Sequence, residues 1–291
     1  MGASYSPAIG SCFGPHQPRK DKMMLPQILP GAEPVYFPGG KVGCLVLHGV
    51  TASPQEVYWL AEYLSQQGYT VCLPRHFGHG LVDRHTIKRA RWQDWYLSAL
   101  DAYHLLRRNC DQVFVMGLSM GGLISLLLAS ALPVDGVAAL AAPLFINAKN
   151  QWLAHILRHF GVRVAKFDQS VDPVDQRIRE MQRDRGEPET GRVAYYEHTA
   201  SGVAELFLLQ KVVMQHLGAV TAPALLIYSE KDSAVPFGNL SLLERNLSRS
   251  RAITTLPLKQ SDHIITNDLE HQQVFEAVGA FVKQYSGASS A

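Results

Sequence analysis

Val113-Phe114-Val115-Met116-Gly117-Leu118-Ser119-Met120-Gly121-Gly122 decides how this chain is read. An apolar, β-branched strand runs into Gly-x-Ser-x-Gly, and an apolar helix follows from Leu123 to Leu132. That order is a nucleophile elbow, a sharp strand-to-helix turn that lifts a serine hydroxyl to where a substrate can reach it. Strained backbone at the serine leaves no room for Cβ atoms two residues away on either side, which explains Gly117 and Gly121. Gly122 lets the helix approach the strand closely. The helix N-terminus aims backbone N–H groups at the place where an oxyanion forms. Ser–Gly clusters also occur in plain loops; the strand before and the helix after favour the catalytic reading.

The elements around the elbow alternate. Val35–Phe37 and Val42–Leu47 read as strands joined by a turn at Pro38-Gly39-Gly40. A helix from Pro54 to Gln67 carries Val57, Leu60, Ala61 and Leu64 at helical spacing and stops at Gly68. Tyr69–Leu73 is a strand, and Trp92 to Arg108 an amphipathic helix with Trp95, Leu97, Leu100, Tyr103, Leu105 and Leu106 as its apolar residues. Further strands are expected at Val137–Ala141, Ala224–Tyr228 and Ala252–Leu256, with a closing helix at Gln272–Gln284. Short apolar strands alternating with helices argue for a mainly parallel, doubly wound α/β sheet. Strand signals vanish over residues 144–200, where Trp152, Leu153, Ile156, Leu157 and Phe160 share one helical face, so a helical insertion is expected there. The division is a leader at 1–32, a core at 33–143 and 201–291, and an insertion at 144–200.

A serine nucleophile needs a base, an acid that orients the base, and oxyanion donors. Downstream of an elbow the order is Ser, then Asp or Glu, then His. Asp232 follows the strand Ala224–Tyr228, and His263 follows the strand Ala252–Leu256. Both therefore fall beyond strand C-terminal ends, where reacting groups gather in an open α/β sheet. A loop aspartate is most often a turn or helix cap, and the chain has 12 histidines, so neither residue speaks alone. Their joint placement in the correct order does. Glu230 and Asp262 are the competing acids, and Asp268 reads as a helix cap. The N–H groups of Met120 and Val50 are the expected oxyanion donors. His48 reads as a residue that orients its loop, and His79 as loop packing rather than a second base.

Composition narrows the rest. The 291 residues are 47% hydrophobic and 18% charged, with a formal net charge of +2. No basic block interleaves with aromatics, so nucleic acid is not an expected partner. No metal site is expected among His85, His155 and His159 and the nearby acids. Cys12, Cys44, Cys72 and Cys110 form no C-x-x-C pair; a reducing, cytoplasmic setting with free buried thiols is expected. No apolar stretch approaches the ~20 residues of a membrane span. Residues 1–22 lack the apolar core of a secretory signal. Met1-Gly2-Ala3-Ser4-Tyr5-Ser6 fits a myristoylation pattern, although a plain leader before Met23 or Met24 is the reading adopted.

In combination the motifs resemble small bacterial carboxylesterases and monoacylglycerol lipases of the α/β-hydrolase superfamily. The resemblance is carried by Leu45 to Pro54, Gly117 to Gly122, Asp232-Ser233-Ala234-Val235-Pro236 and Ser261 to Thr266. Tyr36 to Gly40 and Trp92-Gln93-Asp94-Trp95 fit the same pattern, and about residues 33–285 are covered. It implies an α/β-hydrolase fold with a small helical cap at 144–200, and ester hydrolysis without a cofactor. The implied substrates are small-molecule esters of short to medium chain, monoacylglycerols among them. Ser119, Asp232 and His263 match the triad, and Val50 and Met120 the oxyanion donors. Val50, Trp152 and Ile156 are the expected substrate-binding residues. Amidase, peptidase and thioesterase chemistry on the same triad stay open, as does a non-catalytic binding protein. Two positions depart from the pattern: Val50 where the family usually has Phe, and Asp262 where it often has Gly.

Overall fold

The structure is a computed structural model that describes residues 25–146, the backbone of 163–165, and residues 172–287. Its strands are β1 (Val35–Phe37), β2 (Val42–Leu47), β3 (Thr70–Leu73), β4 (Gln112–Leu118), β5 (Gly136–Leu140), β6 (Arg163–Ala165), β7 (Glu197–Thr199), β8 (Ala224–Ser229) and β9 (Ile253–Leu258). The described α-helices are α1 (Tyr58–Gln66), α2 (Trp92–Asn109), α3 (Met120–Ala131), α4 (Pro173–Asp184), α5 (Ala200–His216), α6 (Asn239–Asn246) and α7 (His271–Ser286). Seven strands form one sheet in the order β1-β3-β2-β4-β5-β8-β9. Every neighbouring pair is parallel except β1 with β3.

The central strands are almost wholly apolar, with Gln112 and Ser229 at strand ends, because both faces are covered. Along β4, Val113 and Val115 join the core on one face, with Trp95, Tyr103 and Leu106 of α2 and Leu123 of α3. Phe114, Met116 and Leu118 alternate to the other face and meet Leu60 and Leu64 of α1 and Val274, Val278 and Phe281 of α7. Full burial of each such side chain is worth about 1.5–3 kcal/mol. The sheet's edges differ: the first four residues of β9 are exposed or half-buried.

Several expectations change in detail. β1 and β2 are consecutive in sequence but not paired, because β3 inserts between them. The first helical segment opens as a 3₁₀ turn at Pro54–Val57 before α1 begins. On α2, Leu97 and Leu105 lie outside the core, each about half exposed at 50% and 51%. Residues 144–200 are not free of strands: β6 and β7 pair as a small antiparallel ribbon. Asp268 does not cap a helix, since α7 starts at His271 and takes Glu270 as its N-cap. Helix α5 was not anticipated. It is apolar on nearly all sides, and Thr199 caps it by accepting from Gly202 N–H at 3.0 Å. Trp152 and Ile156, expected on one face of a helix, lie outside the described residues.

Candidate active site

Four parallel strands deliver the site at their C-terminal ends. β4 ends directly on Ser119, whose backbone has φ 56° and ψ −118°. That left-handed conformation costs a non-glycine residue about 1–3 kcal/mol and persists only when neighbours over-determine it. They do so here. Ser119 N–H donates to Leu140 O of β5 at 2.8 Å, and Ser119 O accepts from Gly122 and Leu123 at the start of α3. A Cβ on Gly117 would lie 2.4 Å from the backbone of Gly121, and one on Gly121 only 2.2 Å from Leu47 O. The turn is therefore closed to any larger residue at either place.

β8 leads to Asp232 and β9 to His263. The Nδ1 of His263 lies 2.8 Å from Asp232 Oδ2, and its Nε2 lies 3.0 Å from Ser119 Oγ. Asp232's side chain is fully buried and that of His263 is 16% exposed. The other oxygen of Asp232 accepts from Ala234 and Val235 N–H at 2.9 and 2.7 Å, which fixes the carboxylate plane. Nδ1–H of His263 donates to the carboxylate in this arrangement, and Nε2 accepts from the serine hydroxyl. The structure thus brings Ser119, Asp232 and His263 into one hydrogen-bonded line.

The competing acids stand elsewhere. Asp262 accepts from Ser233 N–H and Ser233 Oγ–H at 2.7 and 3.0 Å, and from His263's backbone N–H at 2.7 Å. Glu230 pairs with Lys259 on the surface. The loop carrying His263 is anchored by Glu270, which accepts from Lys259, Gln260 and Ser261 N–H and from the Ser261 hydroxyl, all within 2.9 Å. Burial works against the Glu270 carboxylate, but these donors hold it below its ordinary range.

Met120 is the first residue of α3, so its N–H is among those without an intrahelical acceptor. Val50 lines the cavity beside Gly49 and Ser119. His48, His76 and His79 pack their rings together behind this loop, with centroids 4.5 to 6.2 Å apart. His48 Nε2 accepts from His76 N–H at 3.1 Å, so its proton sits on Nδ1 and donates to Gly49 O at 2.9 Å. Burial, reinforced by His76 and His79, keeps His48 neutral. Burial likewise pulls His76 down to about 3 and His79 to about 4. None of the three reaches the serine in the hydrogen bonds it makes: His48 holds the Gly49 loop, while the Nδ1 atoms of His76 and His79 lie 3.1 Å from Trp95 O and Phe77 O.

A cavity of about 210 Å³ opens over Ser119 and His263. Its walls are mostly apolar: Val50, Pro143, Ile146, Val203, Leu206, Val235 and Ile264, with Glu56 and His198 the further polar members. The sequence reading missed most of this wall. Val203 and Leu206 on α5 were legible as an apolar helical repeat after the capping Thr199; Glu56 and Ile264 carried no local signal. Among the described residues, no group of three or more His, Cys, Asp or Glu side chains is arranged to hold a metal ion, and no helix is long and apolar enough to cross a membrane.

Comparison with known proteins adds family and chemistry. Residues 41–271 match the family described as serine aminopeptidase, S33. The thermostable monoacylglycerol lipase of Bacillus sp. (strain H-257) is 30% identical over 261 residues, 89% of this chain and 98% of that protein. A carboxylesterase of Bacillus subtilis (strain 168) is 24% identical over 84% of this chain and 95% of its own. A solved structure from work on LipS and LipT, two metagenome-derived lipolytic enzymes, superposes with a TM-score of 0.74 at 29% identity, over 89% of this chain and 100% of that one.

Proposed function

We propose that this chain, which belongs to the serine aminopeptidase S33 family of α/β-hydrolases, hydrolyses carboxylic esters through an acyl-enzyme on Ser119. The observation that carries this reading is the line from Ser119 Oγ to His263 Nε2 and from His263 Nδ1 to Asp232 Oδ2, at 3.0 and 2.8 Å. His263 takes the serine proton as Oγ attacks the ester carbonyl. Asp232 holds the imidazole in the required tautomer and stabilises its charged form. The N–H groups of Val50 and Met120 receive the oxyanion, helped by the positive end of α3. His263 then protonates the leaving alcohol, and water releases the acid in a second round.

The substrates in this reading are small-molecule esters of short to medium chain, monoacylglycerols among them. The apolar cavity wall supports this, and so do the relatives' activities. Residues 144–200 act as a cap, with Trp152 and Ile156 contributing to the acyl site. The smaller Val50 leaves room beside the nucleophile. A cytoplasmic setting belongs to the same reading, supported by the buried free thiols of Cys44, Cys72 and Cys110.

A fluorophosphonate probe tests the chemistry. Native protein is expected to label at Ser119, and Ser119→Ala to lose labelling and to drop kcat on p-nitrophenyl butyrate by on the order of 10⁴–10⁶. Failure of the native protein to label, or equal labelling of the variant, sinks the serine mechanism. A p-nitrophenyl ester series run beside monoacylglycerol and a p-nitroanilide sets the chain length. Faster cleavage of the anilide overturns the esterase reading in favour of a peptidase or amidase.

A further inference from the structure

The loop that carries Val50 is held from a direction the mechanism does not require. Its backbone is pinned at three successive places. Gly49 N–H donates to Glu56 Oε2 at 2.9 Å, Gly49 O accepts from His48 Nδ1–H at 2.9 Å, and Thr51 O accepts from Tyr195 N–H at 2.7 Å. The Gly49–Val50 peptide is planar and trans, so fixing its carbonyl also fixes the direction of the Val50 N–H. Thr51 itself sits at φ 62°, a strained conformation that needs outside support.

That support comes from residues 191–195, in the long connection between β5 and β8. Ser53 Oγ–H donates to Val193 O at 2.7 Å. Gln55 accepts from Val193 N–H at 2.8 Å and donates to Gly191 O. Arg192 closes the seam. Its Nη2 lies 3.1 Å from Glu56 Oε1 and its Nη1 lies 3.2 Å from Asp172 Oδ2, and the Arg192 side chain is 5% exposed. Burial works against the guanidinium, but Glu56 and Asp172 outweigh it and raise Arg192 above its ordinary range.

Glu56 is also close to the chemistry. It lines the cavity, and a Cβ placed on Gly49 would lie 2.9 Å from its Oε2 and 3.4 Å from Ser119 Cβ. An unneutralised carboxylate there would oppose a forming oxyanion, because like charges in a dry site repel strongly. The same carboxylate is needed as the acceptor that holds Gly49. Only a buried cation lets it do one without the other.

We propose that Arg192 and Glu56 are positioning residues for oxyanion stabilisation, joining the segment 191–195 to the loop that presents the Val50 N–H. The proposal rests on the acyl-enzyme reading of Ser119, and its test is separable from that one. A bland alternative is that the pair only stabilises the fold. The two differ in kinetics. If the pair positions the oxyanion loop, kcat and the affinity for a trifluoromethyl ketone, whose adduct at serine bears an oxyanion, fall together while KM stays within about twofold. Removing a whole oxyanion donor costs about 10²–10³ in kcat, so displacing one is expected to cost about 10–100-fold.

The experiment compares Arg192→Met, Arg192→Lys and Glu56→Gln with wild type. Arg192→Met leaves Glu56 bare and is expected to show the full loss. Glu56→Gln keeps an acceptor for Gly49 and removes the negative charge, so it loses less. Arg192→Lys restores charge without the two-armed geometry and falls between wild type and Arg192→Met. Fluorophosphonate labelling carried to completion should stay stoichiometric in all three, which separates this outcome from failure of the serine reading. The proposal is overturned if folded Arg192→Met keeps kcat and ketone affinity within twofold of wild type, or if its loss appears in KM alone. If Arg192→Met does not fold, Arg192→Lys and Glu56→Gln decide, and wild-type values for both overturn it.

Discussion

Asp232 and Asp262 both border the loop that carries His263, yet they touch different atoms. Asp232 faces the imidazole and reaches Nδ1 at 2.8 Å. Asp262 spends both oxygens on Ser233 and on His263's own backbone N–H. Asp232→Asn is therefore expected to cost about 10⁴ in kcat, as the imidazole loses the partner that sets its tautomer. Asp262→Asn removes a turn contact and should cost no more than about tenfold. Initial rates on p-nitrophenyl butyrate measure both, and a larger loss in Asp262→Asn would reverse the assignment. At this scale the sequence was informative where chemistry dictates order: Ser119, Asp232 and His263 stand in the order an elbow requires, each just past a strand. It was silent on Glu56 and Arg192. Their meeting spans 136 residues and depends on how a long connection folds back, which no local pattern records.

The strand–turn–helix unit from Gln112 to Ala131 is the element on which the rest depends, and its tolerance is set by close backbone approach. A methyl group at Gly121 meets Leu47 O at 2.2 Å, a contact with backbone that cannot rotate away. Gly121→Ala must push α3 off β2 and is expected to cost about 3 kcal/mol, the upper end for overpacking. That corresponds to a fall of roughly 5 °C in Tm for a chain of this size, with loss of fluorophosphonate labelling as the turn opens. Gly68 supplies the contrast. It has φ +88° but nothing within 4 Å of an added Cβ, so Gly68→Ala pays backbone strain alone, about 1 kcal/mol. Equal melting temperatures for the two variants would show that the elbow relaxes freely. The elbow was legible because its glycine spacing is a local pattern between a strand and a helix: Gly117 is excluded by Gly121 within the turn, although Gly121 itself is excluded by Leu47 of β2. The β1-to-β3 pairing was not, because a short turn at Pro38-Gly39-Gly40 suits a hairpin and a crossover alike. Leu97 and Leu105 misled for a related reason: apolar residues on a helix need not face the core.

Across the whole molecule, the buried cluster of His48, His76 and His79 ties stability to acidity. All three are fully buried, and burial is the main cause that lowers each in the folded state. An unfolded histidine takes up its proton near pH 6.5. The folded protein refuses that proton until about pH 4 at His79 and about pH 3 at His76. Between those limits the unfolded chain binds more protons than the native one, so stability rises with pH. The contribution is fully present above about pH 6.5 and is lost as pH falls, by at most ~1.4 kcal/mol per pH unit for each histidine. Carboxylates such as Glu270, held below the ordinary 4.5, add their own loss only further down. The window from pH 6.5 to 5 therefore isolates the histidines. Urea unfolding at steps through that window should give a steep fall in stability for wild type. His79→Gln removes one titrating site and keeps a side chain able to donate to Phe77 O, which His79 Nδ1 contacts at 3.1 Å. Its slope should be shallower by up to ~1.4 kcal/mol per pH unit, whatever its stability at pH 7.5. An unchanged slope would mean that the cluster takes up protons without unfolding, and that the loop behind Gly49 is more open to water than its packing implies.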